Sequence, residues 1–139
     1  MNYTLQKHLA YNFWANGKFV EILKNTEDNL FEKEVTSSFP SLRKTIFHMW
    51  DGESIWLSRI NGVSPTVWPS HGFNGTKAQC LQGFLNTTEE FVDFFVDLED
   101  AYTEKRITFK TMHGEEVSET IEGIVFHVVN HGSFPLVLL

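Results

Sequence analysis

Between Leu5 and Lys24 the chain carries no proline, and Leu5, Leu9, Asn12, Phe13, Phe19, Val20 and Leu23 recur at helical spacing. That period predicts a helix over 5–24 with one buried face, weakened slightly at Gly17. Three more stretches repeat the pattern. Ser41 is placed to cap a helix running through Asn61, with Leu42, Ile46, Met49, Trp56 and Ile60 on one face and Asn61-Gly62 as a left-handed stop. A third helix starts at Thr76 and carries Cys80, Leu81, Phe84, Leu85, Phe91, Phe94, Phe95 and Leu98, with Thr87-Thr88-Glu89 as a soft point. The last is capped by Ser118 or Thr120, aligns Ile121, Ile124, Val125, Val128 and Gly132, and is expected to stop at Pro135.

Helices with a single apolar stripe must bury it against one another, so the expected fold is all-α: a four-helix bundle. The period changes to two between Tyr102 and Val117, where Ile107 and Phe109 alternate with Arg106, Thr108 and Lys110, and Met112-His113-Gly114-Glu115 offers a turn. This predicts a short β-hairpin in the connection before the last helix. Phe31 to Pro40 reads as a linker, and Val63 to Gly75, rich in Pro, Gly and aromatic residues, as a loop packed on the core. A length of 139 residues with 42% hydrophobic composition suits a single domain over 1–139. The net charge of -7 repels phosphate backbones and anionic lipid, so neither nucleic acid nor a membrane is the expected partner. The one cysteine and the lack of a signal-like N-terminus point to the cytoplasm.

Histidine is the unusual reactive resource, with six in the chain. No Gly-x-Ser-x-Gly elbow, phosphate-cradling glycine loop or Cys-x-x-Cys pair accompanies them, which removes the signals of serine hydrolysis, P-loop nucleotide binding and thioredoxin-like redox chemistry. His127 and His131 are four apart in the last helix and so project the same way, at the edge of the apolar stripe. His48 occupies the equivalent flank of the second helix, next to Gly52, whose missing side chain leaves room. Three neutral imidazoles on two facing helices suit Zn²⁺, Ni²⁺ or Fe²⁺ and keep a coordination position open for water or substrate. The same spacing also suits histidines hydrogen-bonded for structural reasons, and spacing alone does not separate the two. Asp51, Glu53, Glu122 and Asn130 are candidate partners for ring N–H groups, or simply solvated. Trp14, Trp50, Trp56 and Trp68 fit a pocket wall, the core or a dimer interface. Cys80 reads as packing, and His8, His71 and His113 as surface groups.

Tyr11-Asn-Phe-Trp-Ala-Asn16, Ser41-Leu-Arg-Lys-Thr-Ile-Phe-His48 followed by Trp56, and His127-Val-Val-Asn-His131-Gly resemble, in order and separation, the DinB/YfiT-like family of small bacterial proteins. The resemblance spans nearly the whole chain. It implies a four-helix bundle, a homodimer, and a divalent metal held by a histidine of the second helix and two ligands four apart on the last. It also implies kinship with metal-dependent transferases that use low-molecular-weight thiols such as bacillithiol or mycothiol. The expected function is therefore a metal-dependent thiol S-transferase or hydrolase acting on a small molecule, with Arg43, Lys44 or Arg59 receiving carboxylates of the thiol. The alternative is a non-catalytic dimerising bundle with a degenerate metal site. One departure stands out: the family usually places a third histidine four residues after the second, followed by Arg-Gly-Gln, where this chain has Pro135 and closes as Pro135-Leu-Val-Leu-Leu139. The carry-over is direct for His48 and His131, His127 becomes the best available third ligand, and the chain reads as truncated at its C-terminus.

Overall fold

The computed structural model describes residues 3–34, 41–96 and 98–137, apart from the side chains of 132–137. Along it run α1 (Tyr3–Lys24), α2 (Asp28–Glu32), α3 (Leu42–Ile60), α4 (Lys77–Val96), α5 (Asp100–Thr103), β1 (Arg106–Lys110), β2 (Glu116–Thr120) and α6 (Ile121–Val137). Local chemistry sets the ends. Ser41 is extended, and its side chain accepts from Lys44 N at 3.0 Å. Thr76 and Gln79 form a reciprocal capping box, Gln79 N donating to Thr76 Oγ1 at 3.2 Å and Thr76 N to Gln79 Oε1 at 2.9 Å. Of the two caps expected for α6, Thr120 is the one used, accepting from Gly123 N at 3.0 Å, while Ser118 lies within β2. After α3 the chain turns at Gly62, whose φ of +88° is a conformation glycine adopts without steric cost.

The long helices α1, α3, α4 and α6 form the bundle, with α1 and α3 each packed against both α4 and α6. Two apolar clusters fill it. Leu5 and Leu9 meet Leu57, Ile60, Phe91, Phe95 and the buried face of α6 at one end. Phe19, Leu23 and Phe31 meet Ile46, Met49, Leu81 and Phe84 at the other. These partnerships make α3 and α4 parallel to each other and antiparallel to α1, which is why a long connection, 61–76, must return the chain along the bundle. The hairpin precedes α6 as expected, antiparallel with Phe109 opposite Val117 and Gly114 in its turn at φ +86°.

Several local expectations need correction. Phe13 points outward, 41% exposed, because Asn12 and Asn16 occupy the inner face of α1. On α3 it is Leu57, not Trp56, that enters the buried stripe with Ile60. α4 is unbroken through Thr87-Thr88-Glu89, since Thr88 is completely buried and the Thr87 hydroxyl accepts from Trp50 Nε1 at 3.0 Å. Leu98 lies beyond α4 but still packs on the core. The 63–75 loop is packed only in part: Phe73 stands edge-on to Trp50, whereas Val63, Val67 and Trp68 are exposed. The linker expected over 31–40 begins later, since Phe31 is buried within α2; its residues 35–40 lie outside the described set. Finally, α6 does not stop at Pro135 but continues to Val137. Proline's fixed φ is compatible with a helix; what it removes is an N–H, leaving the carbonyl of His131 without its helical donor.

Candidate functional site

The two helices that carry the candidate histidines face each other. α3 presents His48, Gly52, Trp56 and Arg59 along one strip and α6 presents His127 and His131, one turn apart, and together they line a pocket of about 190 Å³. The ring centroids of His48 and His131 are 4.3 Å apart, tilted by 45°. Gly52 makes that approach possible: a Cβ there would stand 3.0 Å from Cε1 and 3.1 Å from Nδ1 of His131, tighter than ordinary contact. His127 lies further out. It stacks on His131 at 6.2 Å between centroids, packs against the edge of Trp56 at 5.3 Å, and is exposed.

Burial decides the charge state. It lowers His131 to about 4, with the nearby imidazoles of His48 and His127 acting in the same direction, so its ring is neutral at pH 7. His48 is also lowered by burial, against which the carboxylate of Asp51 pulls upward. Asp51 is itself fixed by the returning loop, its Oδ1 accepting from Ser70 N at 2.7 Å and its Oδ2 from the Ser70 hydroxyl at 2.6 Å. Neutral imidazoles are the form in which histidine donates to a metal. Among the described residues, however, no three His, Cys, Asp or Glu side chains are arranged to hold one ion. The geometry offers two adjacent nitrogen donors, His48 and His131, with His127 as an outlying third.

Arg59 is the pocket's other distinctive group. It is 9% exposed, with its guanidinium carbon 4.6 Å from the centre of the Trp56 ring and 4.9 Å from that of Phe109. Its Nε is buried and makes no hydrogen bond among the described residues. The other two cations named from sequence are engaged elsewhere: Arg43 pairs with Glu32 at 3.2 Å and donates to Gly75 O, and Lys44 pairs with Glu34 at 3.7 Å. Of the four tryptophans, Trp56 and Trp68 wall the pocket, Trp50 packs over Gly83, and Trp14 is exposed.

The candidate partners of the histidines separate. Asp51 is near His48, but Glu53 is neither solvated nor beside the imidazoles. It is 5% exposed on the opposite side of α3, where its Oε1 accepts from Asn12 Nδ2 at 2.6 Å, Asn16 Nδ2 at 3.1 Å and Thr88 Oγ1 at 3.2 Å. Asn130 is exposed and borders a separate recess with Lys7 and Tyr11, while Glu122 stands in the first turn of α6, more than a turn before His127. His71 and His113 are exposed as expected; His8 is half-buried instead, edge-on to Phe126 and bonded to Thr4 O at 2.8 Å. Cys80 is buried packing, its thiol pushed up to about 11 by burial despite Arg43 nearby. No described helix is long and apolar enough to cross a membrane.

A sequence model of the DinB family matches residues 1–134. Protein DinB of Bacillus subtilis (strain 168) is 23% identical over 137 residues, covering 92% of this chain and 77% of that protein. The chain belongs to the DinB family.

Proposed function

We propose that this DinB-family chain is a divalent-metal-dependent enzyme that acts on a small molecule, as a thiol S-transferase or a hydrolase. The observation that carries the reading is the contact of two neutral imidazoles, His48 and His131, beside an open pocket. His48 and His131 would hold the ion, and His127 is the nearest third nitrogen donor. A divalent ion held there would supply positive charge that favours the thiolate form of a thiol near neutral pH. The chain's own residues do the rest. Burial keeps the His131 lone pair unprotonated, so that it serves as a ligand and not as an acid or base. Gly52 leaves space for that ring, while Ile55 and Trp56 give the pocket an apolar wall that keeps water from competing for the substrate.

A second reading, a dimerising bundle whose metal site has degenerated, draws support from the outward position of His127 and the lack of a three-donor arrangement among the described residues. Elemental analysis of protein purified without a metal-affinity tag separates the two. Near-stoichiometric zinc, nickel or iron supports the enzyme, and loss of that metal in His131→Ala, with a smaller loss in His127→Ala, supports the ligand roles. Protein without metal that also fails to take up added Zn²⁺ or Ni²⁺ rejects the enzyme.

A further inference from the structure

Of the three cations considered for binding carboxylate, Arg59 alone lines the pocket. Arginine almost never loses its proton, and burying its guanidinium without a hydrogen-bonded counter-charge is costly. Arg59 is nonetheless more than nine-tenths buried, and its Nε lacks a hydrogen-bond partner among the described residues. The guanidinium carbon lies over the Trp56 and Phe109 rings, 4.6 Å and 4.9 Å from their centres, and neither ring offers its N–H groups a conventional hydrogen-bond acceptor. The same residue lines the pocket shared by His48 and His131.

We propose that Arg59 anchors the carboxylate of a small, singly charged substrate. A carboxylate is planar and offers two acceptor oxygens at the spacing of the guanidinium fork, so it can accept from two of the guanidinium N–H groups at once. A phosphate monoester fits less well: among the described lining residues Arg59 is the only permanent cation, the Asp51 carboxyl stands close to His48, and the chain carries net charge -7. The inference rests on the metal reading only in taking this pocket as the substrate site, and its test is independent of metal.

The probe is benzoate against its neutral analogue benzamide, titrated into protein kept in excess chelator and followed by the NMR signal of the Trp56 indole. A charge-assisted pair in a half-enclosed pocket should make benzoate bind about tenfold or more tighter. Arg59→Met, which keeps the apolar stem, should remove that preference, and Arg59→Lys, which keeps the charge but loses the fork, should reduce it severalfold. Equal binding of the two probes to the unmodified protein, or binding of neither, overturns the proposal. So does a preference that survives Arg59→Met. Should that variant not fold, an undiminished preference in Arg59→Lys overturns it instead.

Discussion

Replacing Glu53 by glutamine tests the polar layer between the two apolar clusters through the pH dependence of stability. Burial raises the carboxyl of Glu53 from 4.5 to about 7, against the lowering effect of its bonds to Asn12, Thr88 and Asn16. The folded protein therefore holds the proton more tightly than the unfolded chain does. Stability attributable to this group falls as pH rises from about 4.5 through about 7 and levels off above that. At 1.36 kcal/mol per unit, the loss between pH 5 and pH 8 is about 2 to 3 kcal/mol. The half-buried His48 and His131 act in the opposite sense: their lowered values make the unfolded chain the better proton acceptor, so their contribution grows as pH rises toward 6.5. The wild-type profile mixes both effects, and the difference between Glu53→Gln and wild type isolates one. Glutamine keeps an oxygen for the three donors and cannot ionise. In urea unfolding of chelator-treated protein, the variant should gain about 2 to 3 kcal/mol relative to wild type between pH 5 and pH 8, most steeply below pH 7. A difference that stays flat over this range would refute the burial argument.

Gly52→Ala should change stability by less than about 1 kcal/mol, because better helix propensity offsets the crowding of His131; metal retention should nevertheless fall roughly tenfold, since the ring must shift, and unchanged metal content after dialysis would contradict this. Ser41→Ala removes the acceptor for Lys44 N and should cost about 1 kcal/mol in urea unfolding. Pro135→Ala returns a donor to the carbonyl of His131 and should raise the melting temperature by a few degrees, consistent with about 1 kcal/mol; a lower value would mean that proline favours this last stretch of α6.

The features legible in the sequence are those whose causes are local. The Ser41 cap, the Gly62 stop and the turn at Gly114 each depend on a few adjacent residues, so they can be read without knowing what packs nearby. The spacing of four between His127 and His131 fixes their common direction in the same way. Glu53 illustrates the opposite case. A glutamate in mid-helix reads as solvent-facing, and its partners Asn12, Asn16 and Thr88 are 41, 37 and 35 residues away. A faint signal existed: Asn12 and Asn16 stand one turn apart on the otherwise apolar face of α1, and Thr88 interrupts the aromatic stripe of α4. With Glu53 these are four polar positions on three helices, which is what a shared buried polar layer requires. The five residues of α2 and the four of α5 are too short for any helical period to show, and the burial of Arg59 depends on Phe109 arriving from the hairpin.

The placement of Glu53 bears on the site because α3 is enclosed over most of its length. From Met49 to Ile60 every residue is buried or half-buried, so the helix has no wide solvent face on which to drift. One side, Ile46, Met49, Glu53, Leu57 and Ile60, is locked into the core; the other side carries the pocket at His48, Gly52, Trp56 and Arg59. Apolar packing resists rotation but tolerates repacking along the axis, whereas the Glu53 carboxyl ties α3 to α1 and α4 at one level through directional bonds. A shift of α3 by one turn would separate Oε1 from three buried donors at once. The polar layer thereby fixes the height of His48 relative to its surroundings in the bundle, and the contact between His48 and His131 needs only α6 to be placed with the same precision. On α6 that is supplied by Ile121, Ile124, Val125 and Val128 in the core and by the Thr120 cap at its start.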